Sequence, residues 1–190
     1  MKYDIILAGV GGQGVLSVSA IIGAAARSQG LLVKLSEVHG MSQRGGGVVA
    51  NLRLSDKPIA SDLIPRGSAS MILSMEPLES LRYLNYLSPE GILITSTDPV
   101  VNIPDYPNLD ELVLRIRSLP HNKLIDSERL ARQAGSARAT NMVIIGAASH
   151  FLPVSVERLE DSIKNLFAGK GEKVVGINLK AFQAGRGAAQ

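Results

Sequence analysis

The chain has 190 residues, of which 45% are hydrophobic and 19% charged, with a net charge of +3. That is enough for one well-buried α/β domain, 1–190, and neither disordered nor strongly basic. Aromatic content is 4% with no Trp, so the stacking platform of a single-stranded nucleic acid binder is missing, and no nucleic-acid partner is expected. Cysteine is absent, which rules out disulfides, thiol nucleophiles, iron–sulfur clusters and thiolate zinc sites in this chain. No apolar run approaches the ~20 residues needed to span a bilayer. The N-terminus carries no signal-peptide pattern, so no membrane association and a cytoplasmic location are expected.

The first predicted element is the apolar strand Tyr3-Asp4-Ile5-Ile6-Leu7-Ala8, which stops in the turn Gly9-Val10-Gly11-Gly12-Gln13-Gly14 and passes at once into a helix over 15–29. The spacing Gly9-x-Gly11-x-x-Gly14 after a strand and before a helix is a dinucleotide fingerprint. Gly9 would serve the sharp turn, Gly11 close approach of backbone to a pyrophosphate, and Gly14 close packing of helix on strand. Backbone N–H groups and the positive end of a helix dipole then form a phosphate cradle. A turn that merely needs small residues is the simpler reading. The helix carries Ala20, Gly23, Ala24, Ala25 and Ala26, as expected of one lying close on a sheet.

Residues 31–38 read as a second strand with Glu37 near its end, either accepting hydrogen bonds from ribose hydroxyls or simply a solvated carboxylate. The polar glycine-rich stretch His39-Gly40-Met41-Ser42-Gln43-Arg44-Gly45-Gly46-Gly47 follows, then a strand over 48–54 with Asn51 and Arg53 facing away from its apolar set. Arg44 could grip a phosphate or carboxylate bidentately or form a surface salt bridge. Lys34, Arg53, Lys57 and Arg66 read as solubilising charges.

A loop over 57–68 precedes a short buried strand at 70–74. Glu76-Pro77 opens a helix over 78–87, a turn is expected at 88–91 and a strand at 91–95. The repeated strand–helix–strand pattern predicts an α/β fold: a Rossmann-like three-layer αβα arrangement with a mostly parallel sheet. Three prolines make 97–108 an extended loop. A helix over 110–118 and a strand over 123–126 come next. Asp126 or Ser127 should cap a helix starting at Glu128. From about residue 139 the chain is helical: an apolar helix from Thr140 to about Phe151, one over 156–167 capped by Ser155, and a last one over 174–182. The tail 185–190 should fray or dock on a partner.

Catalytic machinery is hard to find. Of the three histidines, His150 reads as packed, His121 as solvated, and His39 as the best functional candidate. No spacing supports a metal site or a Ser-His-Asp triad, no Gly-x-Ser-x-Gly elbow is present, and no Gly-Lys-Ser/Thr closes the glycine turn as a Walker loop would.

The stretch Gly9-Val10-Gly11-Gly12-Gln13-Gly14-Val15, together with Glu37-Val38-His39-Gly40-Met41-Ser42-Gln43-Arg44-Gly45-Gly46, resembles the gamma-type domain of the 2-oxoacid:ferredoxin oxidoreductases. The second motif is most similar to the small (beta) subunits of its indolepyruvate branch. Ser74-Met75-Glu76-Pro77, Pro89-Glu90-Gly91 and Asn141-Met142 are also similar. The resemblance implies a subunit of a complex that decarboxylates an aryl 2-oxoacid such as indolepyruvate and forms acyl-coenzyme A. A large (alpha) subunit would hold thiamine diphosphate and iron–sulfur clusters, and ferredoxin would accept the electrons. This chain would hold no cofactor alone but would share coenzyme A or the diphosphate at the subunit boundary. The candidate cofactor-binding residues are Gly9, Gly11, Gly12, Gln13, Gly14, Glu37, Ser42, Gln43, Arg44, Gly45, Gly46 and Asn141, with no catalytic residue and no metal ligand. The other readings are a free-standing NAD(P)- or FAD-binding dehydrogenase and a non-catalytic nucleotide-binding module.

Overall fold

A computed structural model describes residues 1–39 and 45–190. Ser42, Gln43 and Arg44 lie outside the described residues, as does the side chain of His39 on which its reading rests. The chain runs β1 (Lys2–Val10), α1 (Val15–Ser28), β2 (Leu32–His39), β3 (Gly47–Ser55), β4 (Ala69–Ser74), α2 (Pro77–Arg82), β5 (Leu87–Ser96), α3 (Leu109–Arg117), β6 (Asn122–Ile125), α4 (Ser127–Ala134), α5 (Thr140–Ala148), α6 (Val156–Phe167) and α7 (Glu172–Ala188).

The described strands form one six-stranded sheet in the order β2-β3-β1-β4-β5-β6. β1, β4, β5 and β6 pair in parallel, and β3 runs antiparallel to both β1 and β2. The mostly parallel three-layer fold expected from the sequence is therefore present, with one reversed strand inserted. β1 is central and covered on both faces, which is why Ile5 to Val10 form an unbroken apolar run in place of an alternating one. On one face Ile5, Leu7, Leu52, Met71, Leu73 and Ile94 pack under α1 and α5, with α4, α6 and α7 outside them. On the other face Ile6, Ile72 and Leu93 pack with Ile64 and with Ile116 of α3.

Several local expectations are revised. The helix expected over 78–87 is only α2, and a single 3-10 turn at Leu84–Tyr86 leads straight into β5. The expected turn at 88–91 lies inside that strand. Its register against β4 jumps from Ala69↔Leu87 to Met71↔Ile92, so Pro89 occupies an irregularity where its missing N–H is tolerated. A Cβ on Gly91 would stand 2.8 Å from the Ala69 carbonyl oxygen.

Arg53 is no solubilising charge. It is 7% exposed, donates from Nε to Asp4 at 2.9 Å, and from Nη1 to the carbonyls of Ser61 and Leu63, both at 2.9 Å. It does face away from the main core, but the 56–66 excursion covers that face, so the guanidinium needs a buried carboxylate partner. The last helix runs to Ala188 because Gly185 lies against the backbone of α5, and the tail is thereby held. His150 is exposed, with Nε2 2.8 Å from the Arg186 carbonyl oxygen.

Candidate cofactor site at the glycine turn

The glycine turn lies at the C-terminal end of β1, where the chain crosses to opposite sides of that strand: β3 and β2 on one side, β4 on the other. Such a switch point leaves a crevice in open α/β sheets. Gln13 holds the turn in shape. Its Oε1 accepts the Val10 N–H at 2.7 Å, its Nε2 donates to the Met75 carbonyl at 3.1 Å, and the Met75 N–H donates to Ala8 O at 2.9 Å. The side-chain amide thus bolts the turn to the end of β4.

The glycines have different reasons from those expected. Close packing belongs to Gly9, where a Cβ would come within 3.0 Å of Val15 and 3.1 Å of Met75. Gly14 adopts φ +84° as the N-cap of α1, and a Cβ there would meet the Asn141 amide nitrogen at 2.6 Å. The Gly11 N–H donates to Gly46 O at 2.8 Å, and its carbonyl accepts from the Gly45 N–H at 3.4 Å. The two glycine motifs, separated by a helix and a strand in sequence, are therefore clasped together by backbone. Gly12 has φ +106° with nothing within 4 Å of a would-be Cβ, so the turn presents open backbone there.

Asn141 lies in the first turn of α5 and is 9% exposed, with its amide against Gly14. This position brings the starts of α1 and α5 together. Neither has a side-chain cap hydrogen bond or an acidic residue in its first turn. At α5 the Met142 N–H is already taken by Asn141 Oδ1 at 3.1 Å, but two positive dipole ends near one spot still favour an anion. A cleft of about 310 Å³ is lined by Gly11, Gly12, Gly14, Leu16 and Ser17. At Ser17 it adjoins a second, of about 410 Å³, lined by Asn141, Arg138 and Lys170 among others. Lys170 also lies 5.3 Å from the centre of the Phe167 ring. The sequence did not single out these two cations as site residues, because one follows a short helix and the other sits in a glycine linker; only packing makes them neighbours of the turn. A roomier cleft of about 450 Å³ between α1 and α6, lined by Ala20, Ile21 and Leu166, lies away from the turn and lacks converging backbone donors.

Glu37 lies on β2, which is not the neighbour of β1. It pairs across from Ala50 on β3, which separates β2 from β1 by a full strand, about 10 Å between strands twice removed. Ser19 Oγ donates to Glu37 Oε1 at 3.4 Å. Among the described residues no group of three His, Cys, Asp or Glu could hold a metal ion, and no helix is long and apolar enough to cross a membrane.

Residues 4–188 match the pyruvate ferredoxin/flavodoxin oxidoreductase family. The chain belongs to that family. Over the whole chain it is 38% identical to the indolepyruvate oxidoreductase subunit IorB of Pyrococcus horikoshii, covering 96% of that protein. The family resemblance read from the two glycine motifs is thus borne out, including its indolepyruvate branch. Among solved family structures, the keto/oxoacid ferredoxin oxidoreductase gamma subunit of Geobacter sulfurreducens superposes with a TM-score of 0.72 at 25% identity, covering 98% of each chain. The 2-oxoglutarate:ferredoxin oxidoreductase of Magnetococcus marinus, with 2-oxoglutarate, coenzyme A and succinyl-CoA bound, superposes with a TM-score of 0.79 at 23% identity. This chain spans 31% of that longer one, so the family fold also occurs as part of a larger polypeptide. Family membership makes this chain a subunit of an oxidoreductase that acts on 2-oxoacids.

Proposed function

We infer that the chain is the small subunit of an indolepyruvate-type 2-oxoacid:ferredoxin oxidoreductase, and that its glycine turn positions coenzyme A or a diphosphate at the boundary with a larger subunit. That larger subunit holds thiamine diphosphate and iron–sulfur clusters, and the whole enzyme decarboxylates an aryl 2-oxoacid, forms acyl-coenzyme A and passes electrons to ferredoxin. The thiamine ring supplies the carbanion chemistry and the clusters carry the electrons. The work of this chain is to bind and orient. The observation that carries the reading is the convergence of two helix starts, neither with an acidic residue in its first turn, at Gly14 and Asn141, which suits a phosphate. The side-chain amide of Asn141 adds a donor, and Arg138 and Lys170 stand on the adjoining cleft. A self-contained dinucleotide site is the weaker reading, because β3 stands where β2 would have to lie for Glu37 to reach a ribose.

Asn141→Asp tests the binding role in the complex reconstituted with its large subunit. A carboxylate aimed at bound phosphate should raise KM for coenzyme A about tenfold, roughly 1.4 kcal/mol, with kcat nearly kept. An unchanged KM for coenzyme A would remove this site from coenzyme binding. Purification from the native host tests the assembly: a chain recovered without a larger iron–sulfur subunit contradicts it.

A further inference from the structure

Glu76 stands where β4 turns into α2 and is 1% exposed. Its backbone is locked by Ser74, whose Oγ donates to the Glu76 carbonyl at 2.7 Å and accepts the Glu76 N–H at 3.2 Å. Its carboxylate would be costly to bury without donors, and it has several: the Glu79 N–H at 2.8 Å, the Val100 N–H at 3.4 Å and the phenolic O–H of Tyr106. Burial and this carboxylate hold the Tyr106 phenol protonated well above the usual tyrosine range, so it remains a donor.

Val100 and Tyr106 belong to the segment 97–108, which has no helix or strand of its own and contains Pro99, Pro104 and Pro107. Between its two anchors on Glu76, the segment reaches across to the second glycine motif. There Asn102 Nδ2 donates to the Gly45 carbonyl at 2.6 Å. Gly45 is in turn bonded to Gly11 of the first motif. The opposite end of the same motif is touched by α2 directly, since a Cβ on Gly47 would stand 3.0 Å from Glu79 Oε2. One buried carboxylate therefore ties down a proline-stiffened strap, and the strap holds the loop that clasps the turn.

We propose that Glu76 is a positioning residue for the cofactor cleft: through Tyr106 and Val100 it fixes the 97–108 strap, and through Asn102 the strap fixes Gly45 against Gly11. The strap contacts stand by themselves, and the consequence for coenzyme binding rests on the reading of the glycine turn given above. Glu76 touches neither substrate nor cofactor, so its loss acts through loop position.

The test uses Tyr106→Phe, which removes one hydrogen bond without emptying a buried site, alongside Asn102→Ala. Amide hydrogen exchange on the full chain should speed up about tenfold across both 98–107 and the peptide from Gly45 to Val49 in Tyr106→Phe, with β6 and α5 unchanged. Asn102→Ala should speed exchange at Gly45 to Val49 alone. In the reconstituted complex both variants should raise KM for coenzyme A severalfold while kcat changes less than twofold. Faster exchange in the strap with unchanged exchange at Gly45 to Val49 overturns the coupling, whatever the cofactor. Faster exchange at both places with an unaltered KM for coenzyme A instead overturns the assignment of the cleft and with it the positioning role.

Discussion

Glycine serves opposite purposes in two regions of this molecule. Where α5 crosses α7, a Cβ on Gly146 would stand 1.9 Å from the Phe182 carbonyl oxygen, and one on Gly185 would stand 1.9 Å from that of Val143. Each glycine there faces the backbone of the other helix, the contact is filled, and nothing remains for a ligand. At the turn after β1, Gly12 faces open space and Gly14 faces a side-chain amide, while both have positive φ. There the residue sets a backbone shape and leaves N–H groups uncovered. Glycine that lets two backbones touch is structure; glycine that turns a backbone outward makes room for a site. Gly47 is intermediate, since the space its Cβ would take is filled by the carboxylate of Glu79.

The largest effect should come from the crossing. Gly185→Ala forces a methyl into a carbonyl that no rotamer change can move, so the helices must part, at about 3 kcal/mol in urea unfolding. A loss under about 1 kcal/mol would mean that the crossing is not tightly packed, and the contrast with the turn would weaken. Gly14→Ala should destabilise by about 2 kcal/mol, from the left-handed backbone and the clash with Asn141. In an Asn141→Ala background only the backbone part should persist, and a double-mutant cycle measures the difference. Gly12→Ala meets no neighbour, so it should lose about 1 kcal/mol through φ alone. Its KM for coenzyme A in the complex should rise more than its stability falls.

The smallest effect concerns Glu79, whose carboxyl is raised above the usual range by burial, with Arg82 opposing and Glu76 adding to the shift. Its Oε2 has no hydrogen-bond partner among the described residues, while Oε1 pairs with Arg82 at 2.9 Å. Tyr83 and Tyr106 also face it. A raised folded-state pKa means that the neutral form fits the fold better. The contribution of Glu79 to stability should therefore be fully present below about 4.5, the ordinary value, and be lost as pH rises through the raised one. Glu79→Gln should flatten that part of the Tm–pH curve. An equally steep curve in the variant would place the titration elsewhere.

Much of the fold was legible locally. Strand positions came within about a residue for β2, β3, β4 and β6, β1 runs two residues further into the expected turn, to Val10, and the caps Asp126 and Ser155 do accept the N–H groups of Arg129 and Arg158. These features depend on neighbours in sequence: apolar runs, side-chain acceptors and glycine turns. What failed depended on contacts from afar. Arg53 looked solvated because nothing in its strand announces that Asp4 and the 56–66 excursion will enclose it. The tail beyond 182 looked frayed because its small residues make sense only against α5. Within the candidate site, Gly9 to Gly14 and Asn141 were identified by motif, whereas Arg138 and Lys170 were not, since neither carries a motif and packing alone brings them to the adjoining cleft.

The sequence by itself determined that a strand ends in a glycine turn and feeds a helix, that the chain lacks cysteine, and that two glycine motifs mark an oxoacid oxidoreductase subunit. These properties follow from backbone freedom, side-chain chemistry and periodicity, all local. Only the tertiary structure decided that β3 enters between β1 and β2 and so sets Glu37 on a strand twice removed from β1. It also brought a second helix start to Gly14, and tied the two glycine motifs together under a strap anchored on Glu76. Strand order and helix convergence are settled by which apolar faces bury one another, a competition among distant segments that no stretch of sequence expresses alone.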